Sequence, residues 1–196
     1  MRHLAAFCLA AAFAVPAMAE SQALPAPTAS PFPIKVGGAF ELTDQTGAVR
    51  TEVDPNGNMQ LVFFGYANCD QICSVALPLM ADVVDDVGAT GVDITPVMIT
   101  VDPARDTVDA IGPALHEHHP AFVGLTGTPE ALAPVYDLFS VEHKLIWEDP
   151  EYGPVFAHGS HIYLMDSDGG FLTLIPPILA PERAAEIVAT YAEKNS

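Results

Sequence analysis

Two cysteines stand four residues apart in "VFFGYANCDQICSVALPLM", at Cys69 and Cys73. An apolar run rich in aromatic and β-branched residues precedes them, and apolar residues at helical spacing follow. The pair therefore falls where a strand gives way to a helix. Residues four apart on a helix share one face, with Cα atoms about 6 Å apart. The first turn also presents outward N–H groups and the positive end of the helix dipole, which favour a thiolate, most at Cys69. Three chemistries are open to such a pair: a disulfide, a redox dithiol, or a chelate for a soft ion, above all Cu(I). A structural zinc site wants four closed ligands, and the only other cysteine is Cys8.

Cys8 lies in "MRHLAAFCLAAAFAVPAMAES", which has a short basic head, an apolar run from Leu4 to Val15 and an Ala17-Met18-Ala19 cleavage pattern. Residues 1–19 read as a secretory signal peptide, with an uncleaved N-terminal anchor as the other use of such a segment. Phe7 is not a small residue, so a lipoprotein reading of Cys8 fails. Cleavage leaves only Cys69 and Cys73 in an oxidising compartment, where stapled domains carry several pairs. One close pair constrains the unfolded chain little, so chemistry is the stronger reading of it.

Residues 20–33, "ESQALPAPTASPFP", form an extended Pro/Ala-rich spacer, and residues 34–196 one domain. The formal net charge of -18 over 196 residues, with scattered basic residues, excludes nucleic acid and anionic membrane surfaces as partners. Within the domain, "AFELTDQTGAVRTEV" suggests two short strands about a turn, and "MQLVFFGY" a central buried strand. The helix after the cysteines stops near Gly88, with Pro78 bending it, and "ITPVMITVDP" is the next buried strand. "RDTVDAIGPALHEHH" reads as a helix with Asp106 as N-cap and Asp109 in its first turn. "AFVGLTG" is a strand, "TPEALAPVYDLF" a helix capped by Thr128, and "HIYLMDSDGGFLTLI" a hairpin that includes His161. A helix opened by Pro181 ends the chain. The plan is α/β, with helices on both faces of one sheet.

Four blocks read together add a resemblance. "VFFGYANCDQIC", "VMITVDPARDT", "FVGLTGT" and "HGSHIYLMDSDGGF" occur in this order, from about Phe40 to Phe171. They resemble the Sco/SenC family of exported copper-binding proteins that assist cytochrome c oxidase assembly. The resemblance implies a thioredoxin-like fold with a central mixed sheet, and one copper held by Cys69, Cys73 and His158, which stands five residues before Tyr163. Two thiolates and an imidazole suit Cu(I) and, with one added oxygen ligand, Cu(II). In the family a Pro follows each cysteine, where this chain has Asp70 and Ser74. An acidic residue precedes the family's histidine, where Ala157 stands here. These exchanges bear on loop rigidity and thiol potential, and on the orientation of the imidazole, rather than on ligand identity.

The function expected is a periplasmic copper chaperone serving the copper-site subunit of cytochrome c oxidase, with exchange toward another periplasmic copper carrier or a thiol reductant. A monomer is expected, and no catalytic residue is assigned. A thiol-disulfide oxidoreductase that keeps the oxidase subunit's cysteines reduced is the alternative, followed by a copper or redox sensor. Oxidoreductases more often space their cysteines by two residues, and a pure reductase has no use for His158. A peroxidase would need an activating arginine beside Cys69, and none is there. His161 is read as a strand residue packed beside Tyr163, and His116, His118 and His119 as a helix end favoured by the dipole. Asp102, Pro103, Arg105 and Asp106 follow a central strand, where α/β sites gather, and stand between turn roles and support of the thiols.

Overall fold

The computed structural model describes residues 35–67, 73–151 and 153–195. The expected signal peptide, the spacer and Cys69 fall outside these residues. In chain order the elements are β1 (Leu42–Asp44), β2 (Val49–Arg50), β3 (Met59–Gly65), α1 (Cys73–Gly88), β4 (Ile94–Thr100), α2 (Val108–His116) and β5 (Val123–Thr126). They continue with α3 (Pro129–Leu138), β6 (Lys144–Asp149), β7 (Gly153–Ala157), β8 (Ile162–Met165), β9 (Phe171–Ile175) and α4 (Pro181–Asn195). Among the described residues, seven strands make one mixed sheet in the order β2-β1-β5-β4-β3-β8-β9, and β6 pairs only with β7.

The centre of the sheet follows from apolar runs. Every residue of β3 and of β4 is buried, as strands covered on both faces must be. They pair in parallel from Met59 with Ile94 to Gly65 with Thr100, and β8 lies antiparallel on the other side of β3. Pro96 is tolerated inside β4 because pairing with β5 begins only at Val97.

Side-chain alternation sorts the helices by face. Phe63, Met98 and Gly124 are register partners on one face of the sheet. There Ile111 and Leu115 of α2 fill the space beside Gly124, and Cys73 at the start of α1 fills that beside Gly65. Helix α4 packs along α1. Phe64 faces the other way, and its ring meets Tyr136 of α3 and Phe139 just beyond it. Helices therefore cover both faces.

Two local expectations are corrected. Thr107, not Asp106, is the N-cap of α2, and its side chain makes no cap bond. The carboxylate of Asp106 is turned inward because the buried Thr100 hydroxyl and the Ala67 N–H donate to it. His161 lies exposed just before β8, not within it. Strand β8 is internal, because β9 covers its outer side. The β6–β7 ribbon was not foreseen, because its apolar run is short and exposed rather than alternating.

Candidate metal centre

Cys73 opens α1 and is buried, at 2% exposure. Its burial depends on a missing side chain: a Cβ on Gly65 would lie 2.9 Å from Cys73 Sγ. The glycine at the end of β3 thus makes room for the sulfur. Eighty-five residues away in sequence, His158 follows β7 and brings Nε2 to 3.9 Å from Cys73 Sγ. Its ring stands edge-to-face against Phe63 and Tyr66, with centroids 5.9 and 5.7 Å away.

The second ring nitrogen fixes the tautomer. His158 Nδ1 lies 3.0 Å from the carbonyl oxygen of Gly159, which can only accept, so Nδ1 carries the proton and donates. Nε2 is left with its lone pair toward Cys73 Sγ, the arrangement that metal-binding imidazoles use. Nitrogen and sulfur ligands bound at about 2.0–2.3 Å from one ion lie no more than about 4.4 Å apart. The observed 3.9 Å fits. Among the described residues no group of three His, Cys, Asp or Glu gathers for a metal. Cys69 lies in residues 68–72, outside the described chain.

Around this pair, Asp106 and Arg105 fasten the segments that carry it. Asp106 accepts from Thr100 Oγ1 at 2.7 Å and from the backbone N–H of Ala67, two residues before Cys69. Burial pushes its carboxyl above the ordinary range, and these hydrogen bonds only partly oppose that. Arg105 ion-pairs with buried Asp102, lies over the Tyr66 ring at 5.4 Å, and donates Nη2–H to the Pro154 carbonyl at 2.8 Å. One guanidinium thus joins the turn after β4, the approach to the cysteines and the ribbon that leads to His158. Asp102, Arg105 and Asp106 thus serve the turn after β4 and also tie it to Ala67, Tyr66 and Pro154.

His143, not singled out from sequence, donates Nε2–H to the Val101 carbonyl at 2.9 Å and stacks on Phe156 with centroids 5.2 Å apart. A lone His before an exposed strand carries no signal that would have found it. Among the described residues, no other histidine joins the pair in a metal-binding group. His119 accepts from the Ala121 N–H at Nδ1 and reaches Asp85 with Nε2 at 3.3 Å, which ties the end of α2 to α1. His116 and His118 are exposed.

Sheet order and helix placement define a thioredoxin-like domain whose strand-to-helix junction carries a buried thiol facing an imidazole. A family model described as SCO1/SenC matches residues 28–193. An SCO2-like protein of Rickettsia conorii is 38% identical over 142 residues, 71% of this chain and 68% of that one. Protein SenC of Rhodobacter capsulatus is 33% identical over 159 residues, 81% and 72% of the two chains. Among solved structures, copper-bound ScoI of Arabidopsis thaliana matches with TM-score 0.76 and 30% identity, over 81% of this chain and 99% of that one. Copper-bound ScoI of Bradyrhizobium japonicum matches with TM-score 0.69 and 33% identity, over 80% and 99%. The chain belongs to the SCO1/SenC family. Among the described residues no helix is long and apolar enough to cross a membrane.

Proposed function

We propose that this chain is an exported copper carrier that binds one copper ion through Cys69, Cys73 and His158 and delivers it to the binuclear copper site of cytochrome c oxidase. The observation that carries the reading is the 3.9 Å approach of His158 Nε2 to Cys73 Sγ, with Nδ1 already committed to a carbonyl. A thiolate and an imidazole so placed, with a second thiolate from Cys69, form a soft N/S donor set suited to Cu(I), and to Cu(II) once an oxygen ligand joins. Copper-bound relatives of similar fold support the choice of ion.

Copper is cargo here, so release matters as much as capture. Cys73 is held by a helix, whereas His158 follows a two-stranded ribbon. Withdrawal of the imidazole leaves two thiolates, sufficient for Cu(I) and exposed to exchange with an acceptor's ligands. Residues 1–19 direct export and are cleaved, residues 20–33 are a spacer, and the domain from residue 34 works in the periplasm.

Copper content and spectra of purified variants test the reading. The native protein should bind one copper and show a strong thiolate-to-Cu(II) absorption band. Cys69→Ala and Cys73→Ala should abolish binding, while His158→Ala should spare Cu(I) and destroy or reshape the Cu(II) band. His161→Ala should change neither. Loss of the band in His161→Ala but not in His158→Ala overturns the ligand assignment. A native protein that binds no copper while its dithiol reduces a partner disulfide would favour the reductase.

A further inference from the structure

The ribbon leading to His158 has one edge turned toward the domain and one that no further strand covers among the described residues. On β7 the Pro154 carbonyl is taken by Arg105, and a proline has no N–H to offer. On β6, among the described residues, backbone pairing runs to β7 alone. The outward N–H and C=O groups of such a strand are a template for another strand. Its side chains reinforce the point: Leu145, Ile146 and Trp147 are 45%, 57% and 50% exposed. Three consecutive large apolar residues in water mark an interaction surface far more often than isolated ones do.

This surface is continuous with the metal centre. Phe156 is the cross-strand partner of Leu145, stacks on His143 and meets the Tyr66 ring, which in turn meets His158. Beside it opens a cleft of about 580 Å³ between Pro103, Ala133, Tyr136, His143 and Phe156, roomy enough for a large side chain. The ribbon's first strand and its flanks, residues 142–151, are acidic, with Glu142, Glu148, Asp149 and Glu151 against Lys144. On a chain of net charge -18, a second copy would bring the same sign, so like charges oppose self-pairing. A partner that complements this edge carries Lys or Arg around an apolar strand.

We propose that β6 is the docking edge for the protein with which this chain exchanges copper. That protein adds an extended, basic-flanked apolar segment as a third strand of the ribbon and seats one apolar side chain in the cleft. Docking there brings the partner's ligands beside His158. Only the partner's identity rests on the function proposed above.

Trp147 is the chain's single tryptophan and so is a private reporter. The test titrates the soluble copper-site domain of the same organism's oxidase subunit into the 5-fluorotryptophan-labelled protein. It follows the one ¹⁹F resonance and amide hydrogen exchange across residues 144–149. The expected result is a shifted resonance, slowed exchange in β6, and affinity that weakens with salt. Leu145→Asp and Glu148→Lys, exposed sites whose folding circular dichroism checks, should each weaken binding by about tenfold. Binding with β6 amides and resonance unmoved, no binding at all, or copper passage by Leu145→Asp at the native rate overturns the proposal. So does β6 protection that grows with this protein's own concentration. Protection of β6 without copper transfer supports the docking edge and instead defeats the delivery reading.

Discussion

Replacing Gly65 by Ala probes how the fold makes room for the thiol. The added Cβ would stand 2.8 Å from Phe63 Cε1 and 2.9 Å from Cys73 Sγ. Comfortable carbon contacts are about 3.5–4.0 Å, so both neighbours must retreat by roughly 0.6 Å or more. Both are buried, with Phe63 at 0% and Cys73 at 2% exposure, so neither can swing into solvent. Overpacking of this kind costs about 1–3 kcal/mol. Replacing a strand glycine returns about 0.5–1 kcal/mol of backbone entropy, leaving a net loss centred on about 1 kcal/mol. In urea that lowers the midpoint by about 0.5–1 M. Displacement of Sγ within the proposed two-thiolate chelate should also weaken Cu(I) binding by about tenfold, a difference of about 1.4 kcal/mol. Gly88→Ala is the control, because nothing lies within 4 Å of its added methyl. Urea melts and competition with a Cu(I) chelator read the two effects separately. A Gly65→Ala protein as stable as Gly88→Ala refutes the packing argument. One that is destabilised but binds Cu(I) unchanged refutes the claim that Gly65 positions the sulfur.

Arg105→Lys keeps a charge for Asp102 but loses the planar fork that spans Tyr66 and Pro154. Urea melts should show a loss of about 1–2 kcal/mol, with the Cu(II) band moved as His158 loosens. Asp106 has its pKa raised by burial, so as pH climbs from about 4 the unfolded chain releases a proton that the fold retains. Stability then falls with rising pH, and Asp106→Asn should flatten that slope in melting temperatures. Asp44 behaves oppositely: burial raises it, but hydrogen bonds from Thr46 and Ala48 and the charge of Arg50 outweigh burial and lower it. Its contribution is present above the ordinary carboxylate pKa and lost as pH falls through the lowered one. Melting temperatures of native protein and Asp44→Asn should therefore converge in acid. Burial, aided by the charge of Asp102, pushes the Tyr136 phenol far up, and burial raises Tyr163. Ultraviolet alkaline titration of the folded protein should leave Tyr136 silent and Tyr163 late, and Tyr136→Phe should not change the native amplitude.

Periodicity and composition were enough for the parts of this protein that are locally coded. The buried runs at Met59–Gly65 and Ile94–Thr100 became the sheet centre because such apolar strands need cover on both faces. Thr128 and Pro129 started a helix because cap chemistry is local. The approach to Cys73 read as a strand-to-helix switch for the same reason, and the motif order named the family. Locality also misled. Asp106 had the form of an N-cap, but Thr100 at the end of β4 and Ala67, 39 residues away in sequence, claimed its carboxylate.

Tertiary structure alone decided the meeting of Cys73 and His158. Eighty-five residues separate them, and their approach depends on β8 pairing beside β3 and on a glycine that leaves space for sulfur. It also decided which nitrogen of His158 is available, because a neighbouring carbonyl holds the other. Residue types state which atoms can coordinate, but distances and tautomers arise only when remote segments pack. The sequence by itself thus determined the chemistry on offer, and long-range packing determined where it converges.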